Sequence, residues 1–240
     1  TDHTEALADA LWMKGWITLE YMHDATTAYK DFYQLYGEVE TPVSKARAAY
    51  WAGRAAKKNG NTDIAREWME KAAQHPTVFY GQLAQLSLKP DSALALPASP
   101  GFTAEQKDAF LQEPLVQIAK ARAAEGDTKM RDLFLTHIAN QTTEAHRFAL
   151  LAEVARDLGD TADGVRTAKA ALRKNVVMVD VGWPTTRLPE NLSVEPALAL
   201  AIARQESEFD ATARSSANAR GLMQLLPGTA KQTARKLDMP

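Results

Sequence analysis

Cysteine is absent from the 240 residues. That excludes disulfides and thiol catalysis, and it leaves any metal site to five histidines. His3, His23, His75, His137 and His146 show no metal-ligand spacing, so no metal is expected. Long apolar runs are missing too. The longest, residues 196–203, falls well short of the roughly 20 residues that a spanning helix needs, so no integral membrane span is expected. There is no excess of positive charge. Lys and Arg number 28 against 30 Asp and Glu, a net charge of -2, which argues against nucleic acid as a partner. No glycine-rich phosphate loop appears, and no cofactor is expected. The chain starts at Thr1 with no leader, so it reads as a mature or trimmed product.

What remains is alanine-rich and helical. Alternating β-branched runs are scarce, and 45% hydrophobic residues suffice for a globular core. Gly60-Asn61-Thr62, Gly126-Asp127-Thr128 and Gly159-Asp160-Thr161 each separate two amphipathic stretches. Glycine takes the left-handed conformation that ends a helix, and Asn, Asp or Thr caps the next one. The first two junctions lie 66 residues apart and the last two 33 apart, close to the period of tetratricopeptide-like helix pairs. Expected pairs are residues 47–58 with 64–73, 113–124 with 130–139, and 148–158 with 165–172. Tyr50, Trp51, Ile64 and Trp68 are core candidates of the first pair. Earlier helices are expected near residues 5–21 and 25–36. Trp12, Trp16, Tyr21, Tyr29, Phe32, Tyr33 and Tyr36 recur there at helical spacing and read as core.

Residues 88–101 contain three prolines and read as a loop. Residues 175–193, with Gly182-Trp183-Pro184 and Leu188-Pro189, read as an irregular linker and domain boundary. The expected organisation is an all-α chain. A helical-repeat scaffold spans residues 1–174, the linker 175–193, and a different unit 194–240. Residues 231–240 read as helix with no closing element, so the C-terminus is expected to be a cut.

The chemistry concentrates after the linker. Ser193 is the expected N-cap of a helix with proline in its first turn. Leu198, Ile202 and Gln205-Glu206 fall near one face. Glu206 then ends an apolar run, where desolvation and the negative end of the helix dipole both disfavour its ionised form, as suits a general acid. A solvated helix-end glutamate is the competing reading. A small-residue loop leads to a second segment, expected to be short helix, with Gly221 for close backbone approach and with Met223 and Gln224 as an apolar surface and an amide.

Glu206-Ser207, Phe209, Asp210, Ser215, Gly221-Leu222-Met223-Gln224 and Pro227-Gly228-Thr229-Ala230 hold together at fixed spacing. This pattern resembles the soluble lytic transglycosylases, peptidoglycan-cleaving enzymes with a goose-lysozyme-like catalytic domain. Residues 47–54 and 79–84 are similar to recurring segments of that family's helical superhelix. Ala211 stands where the family usually has Pro, and Asn218 where it has Gly. The family's later Ala-Tyr-Asn segment would lie past Pro240, so residues 194–240 are expected to be only the first part of a catalytic domain, a truncated piece expected to be inactive alone.

The resemblance implies cleavage of the bond between N-acetylmuramic acid and N-acetylglucosamine with formation of a 1,6-anhydro ring. Glu206 would be acid and then base. Ser215, Gly221, Met223 and Gln224 would contact substrate, with a loop-capping hydroxyl as the other reading of Ser215. Gln205 and Ser207 would brace the helix end, and Asp210 the following loop. Glu208 reads as surface charge pointing away from Glu206. Peptidoglycan strands would be the main partner, with cell-wall synthesis or division proteins as further ones, in the periplasm. Two alternatives stay open: a non-catalytic helical-repeat interaction protein, and a hydrolysing goose-type lysozyme.

Overall fold

The computed structural model describes residues 2–159, 161–190 and 192–238. Asp160 of the third junction, Asn191 of the linker and the last two residues, with the expected cut at Pro240, lie outside it, as do the side chains of residues 2–5, His3 among them. Among the described residues the secondary structure is helix, with two isolated bridges near the C-terminus. The chain forms two compact units, Thr1–Pro97 and Ala98–Pro240. The division falls inside the proline-bearing loop.

The first unit holds α1 (Asp2–Glu20), α2 (Ala25–Glu38), α3 (Pro42–Lys58), α4 (Thr62–Ala73) and α5 (Phe79–Leu88). Each packs on the next, and the short turns make neighbours antiparallel. α3 buries Ala46, Ala48, Ala49, Ala52, Ala55 and Ala56, which lets its neighbours approach closely. Phe32 stacks on Trp51 at 5.9 Å, and the indole N–H of Trp68 donates to the Tyr29 hydroxyl at 3.1 Å. Of the aromatic series only Phe32 is fully buried; Trp12, Trp16, Tyr29 and Tyr36 pack on the core part-buried, while Tyr21 and Tyr33 are exposed. Ile64 also departs from expectation and is exposed. α4 buries Ala65, Trp68, Met69 and Ala72, a tight i, i+3, i+4, i+7 set, and Ile64 sits just outside that stripe. α5 carries no capping residue that the sequence reading could use, since Val78 precedes it without a side-chain cap.

The second unit begins with α6 (Ala104–Leu111), α7 (Pro114–Ala124), α8 (Thr128–Gln141), α9 (Ala145–Asp157) and α10 (Thr161–Arg173). Thr103 and Gln106 form a reciprocal capping box that starts α6. Phe110, Val116, Leu135, Phe148, Leu151 and Val165, one or two from each of α6 to α10, are buried anchors of the second unit. Glu113 receives both terminal nitrogens of Arg147, at 2.5 and 2.9 Å, and that guanidinium covers the Phe110 ring. Within residues 175–193 the chain is not wholly irregular, because α11 (Val179–Gly182) forms there and packs on α10. α12 (Pro196–Glu206) and α13 (Pro227–Lys236) follow. α12 starts after Glu195, so Ser193 is not its cap.

The three junction glycines have φ of 77 to 79°, the left-handed turn that the sequence demands. The caps differ. Asp127 accepts from the Met130 N–H at 3.1 Å, whereas Asn61 makes no side-chain cap bond. Asp127→Ala should therefore lower stability by about 1 kcal/mol. Asn61→Ala should cost only a small fraction of that. Urea melts of both variants check the contrast, and equal midpoints would contradict it.

Candidate active site

α12 is two-faced. Ala199 and Ala203 are buried, and their small side chains let the helix lie close to the rest of the unit. Leu198, Ile202 and Glu206, each four residues apart, form the adjoining row, which turns outward beside the buried alanines. Leu198 is 52% and Ile202 39% exposed, and Glu206 is exposed at the last helical position. The expectation of a desolvated Glu206 is thus corrected. The apolar ridge leading to it faces outward, so nothing in the described residues encloses the carboxylate. Gln205 beside it is also exposed.

The chain turns away immediately after Glu206. Glu208 and Phe209 have φ of 57 and 69°, two successive non-glycine residues in the left-handed region. That region is costly for a bulky side chain and recurs at functional sites. The turn is held from several sides. The Ser207 and Phe209 N–H groups both donate to the Ala203 carbonyl, at 3.1 and 3.3 Å, and the Asp210 N–H donates to the Ser207 carbonyl at 3.0 Å. Asp210 then accepts from the Thr212 N–H at 2.8 Å and its hydroxyl at 2.7 Å, the loop-bracing role expected of it.

Ser207 is buried, and its hydroxyl lies 3.1 Å from the Ala203 carbonyl and 2.9 Å from that of Leu222. This contact ties residues 221–224 to the end of α12. That segment is not the expected short helix. Gly221 at φ 71° and Gln224 at φ 44° turn the chain between the bridges that pair Arg220 with Arg214 and with Leu225. The Gly221 N–H donates to the Ala213 carbonyl at 3.0 Å. The Gln224 amide donates to the carbonyls of Ala213 at 3.1 Å and Gly221 at 2.9 Å, so its nitrogen braces the loop. Met223 is 42% exposed. The Ser215 hydroxyl accepts from the Ala219 N–H at 3.0 Å, the loop-capping alternative of its two readings. Asn218 takes φ 65° there, which asparagine tolerates where glycine is usual.

Ser207→Ala would leave the Leu222 carbonyl without this donor, at a cost of about 1 kcal/mol. The variant should melt at lower urea and be cut faster by trypsin in the 214–220 loop. An unchanged cleavage rate would show that the tether does not hold the loop.

Two residues that the sequence reading missed stand out. Arg204 donates to the Gly182 carbonyl at 2.5 Å and lies 4.5 Å over the Trp183 ring. Burial lowers its pKa, with Glu208 pulling the other way. Arg166 of α10 reaches the loop after Glu206: its Nε lies 3.1 Å from Glu208, and a terminal nitrogen lies 3.8 Å from Asp210. Burial works against its charge, but Asp163, Glu208 and Asp132 outweigh that and raise its pKa. Glu208, read from the sequence as surface charge, is part-buried and paired with Arg166 and Lys169. It helps line a cleft of about 210 Å³ with Arg166, Lys169 and Arg173. Among the described residues no cluster of His, Asp or Glu is placed to hold a metal, and no helix is long and apolar enough to cross a membrane.

Residues 187–240 match the model of the Transglycosylase SLT domain. Over 174 residues, 68% of this chain, the sequence is 32% identical to a Haemophilus influenzae protein assigned by inference as a soluble lytic murein transglycosylase. It is 40% identical over 55 residues, 23% of this chain, to the soluble lytic murein transglycosylase of Salmonella typhimurium. The chain spans 28% of the first relative's length and 8% of the second's. The fold matches that of an inactive mutant of lytic transglycosylase Slt from Pseudomonas aeruginosa, with a TM-score of 0.76 at 23% identity, covering 96% of this chain and 37% of that one. It also matches the 70 kDa soluble lytic transglycosylase of Escherichia coli, with a TM-score of 0.64 at 19% identity, covering 99% of this chain and 37% of that one.

Proposed function

We propose that this chain, which belongs to the Slt-type soluble lytic transglycosylase family, carries the acid–base carboxylate of an enzyme that cleaves peptidoglycan without water. One observation carries the reading: α12 delivers Glu206 to an exposed helix end, and the buried Ser207 hydroxyl ties residues 221–224 to that same end. The names of the relatives, both murein transglycosylases, supply the substrate class.

In this reading the protonated Glu206 gives its proton to the glycosidic oxygen between N-acetylmuramic acid and N-acetylglucosamine. The bond from the muramoyl anomeric carbon to that oxygen breaks, and the N-acetylglucosamine 4-hydroxyl leaves. The substrate's own N-acetyl oxygen holds the electron-poor carbon, so the second carboxylate of ordinary glycosidases is not needed. The Glu206 carboxylate then takes the proton of the muramoyl 6-hydroxyl, and that oxygen closes the 1,6-anhydro ring. Met223 and the backbone at Gly221 flank the strand, Ser215 and Gln224 shape the loop beside it, and Gln205, Ser207 and Asp210 support the turn.

The proposed organisation is a scaffold of residues 1–174, a linker of 175–193 and the start of a lysozyme-like catalytic unit from 194. The scaffold would guide glycan strands and offer surface to cell-wall synthesis or division proteins on the periplasmic side. Mass spectrometry of fragments released from purified peptidoglycan by the complete reading-frame product tests the reaction. Ends in 1,6-anhydromuramic acid, one water lighter than hydrolysis products, support it. Reducing ends would mean a hydrolysing lysozyme, and no fragments would favour a helical interaction protein.

A further inference from the structure

We infer that Arg166 and Lys169 of α10 act through Glu208 as positioning residues for Glu206, fixing the catalytic end of α12 from the side of the helical scaffold. This rests on the acid–base reading of Glu206 given above. Glu208 is held by two cations at once: Arg166 Nε lies 3.1 Å from one carboxylate oxygen and Lys169 Nζ 2.7 Å from the other. Arg166 is itself fixed by Asp163 at 2.8 Å and Asp132 at 3.5 Å, so it is a braced post and not a loose surface charge. It also faces Asp210 at 3.8 Å. The same guanidinium therefore grips the chain two and four residues beyond Glu206.

The backbone explains why a grip is needed. Residues 208 and 209 both sit in the left-handed region, where neither Glu nor Phe rests comfortably. Released, they would relax toward ordinary conformations, and the last turn of α12 would shift with them. Glu206 is exposed, so no packing of its own keeps it aimed. Its geometry is inherited from the residues that follow. The pairs are half-buried on both sides, with side-chain exposures of 27 to 30%, and are therefore less screened than open surface pairs. A small displacement of an acid–base group costs chemistry before it costs binding.

The experiment compares Glu208→Gln, Lys169→Gln and Glu206→Gln in the complete reading-frame product, with Glu153→Gln as control. Glu153 pairs with Lys107 at 2.9 Å and similar burial elsewhere in the second unit. Steady-state turnover of soluble glycan strands and thermal melts are recorded for each. The expected result for Glu208→Gln is a fall in kcat of about tenfold with KM within about twofold. Lys169→Gln, which leaves the Arg166 contact in place, should show a smaller fall of the same kind. Glu153→Gln should lower the melting temperature with kcat unchanged. If Glu208→Gln and Lys169→Gln both keep the parental kcat while Glu206→Gln is inactive, the positioning role is wrong and the acid–base reading stands. If Glu153→Gln loses as much kcat as Glu208→Gln, the ion pairs are merely structural and the inference fails. An active Glu206→Gln would remove the premise itself.

Discussion

Glu206→Gln in the complete reading-frame product is expected to stop the proposed release of 1,6-anhydromuramoyl fragments while leaving the protein folded. A positioned general acid or base contributes about 10²- to 10⁴-fold, and in the proposed reaction one residue serves both proton transfers. A loss of at least about 10³-fold in kcat is therefore expected. The amide keeps the shape of the side chain but can neither give nor take the proton. Stability should change by no more than about 0.5 kcal/mol, because Glu206 is exposed and its replacement disturbs no packing. Fragment mass spectrometry and a urea melt, run side by side, decide it. Turnover within about tenfold of the parent, in a folded mutant, would show that the proton comes from elsewhere.

Reading a chain as helix, and finding its breaks, is a local problem, and most of it was accessible from residues alone. The glycines of the junctions announce their left-handed turns, whereas α6 was missed although Thr103 and Gln106, three residues apart, carry its capping signal. Local signals failed where the chain is organised by distant partners. Residues 221–224 look helical in composition, yet Gly221 and Gln224 are held in turns by the one Ala213 carbonyl and by the tether from Ser207. Glu208 looks like a solvated charge, because its cations lie about forty positions earlier and only folding brings them near. Asp210 was legible since its acceptor role is satisfied two residues away. For Ser215 the resemblance implied substrate contact with a loop-capping hydroxyl as the other reading, and the hydroxyl accepts from the Ala219 N–H as a loop cap does. The exposure of Glu206 runs against the apolar run that precedes it, because an i, i+4 series names a face without saying what covers it.

The largest loss of stability is expected at Gly81, in the stretch of residues 79–84. A methyl group added there would sit 1.9 Å from the His75 carbonyl oxygen, 2.7 Å from its carbon and 3.1 Å from the Ala72 carbonyl oxygen. All three are backbone atoms at the end of α4 and the turn beyond it, so no side-chain rotation relieves the clash. The His75 carbonyl is also engaged, accepting from the Val78 N–H at 3.2 Å, and moving it breaks the turn into α5. Overpacking by one methyl commonly costs about 1 to 3 kcal/mol where neighbours can yield. Against fixed backbone the loss for Gly81→Ala should exceed about 3 kcal/mol. Gly37 is the matched contrast. It is also helical, but a methyl there meets nothing within 4 Å, so Gly37→Ala should be stabilising by up to about 1 kcal/mol. Tryptophan fluorescence follows both, since Trp12, Trp16, Trp51 and Trp68 all lie in the first unit. A urea midpoint for Gly81→Ala close to that of the parent would mean that α5 does not approach α4 so closely. The glycine would then be there for some reason other than the contact between the two helices.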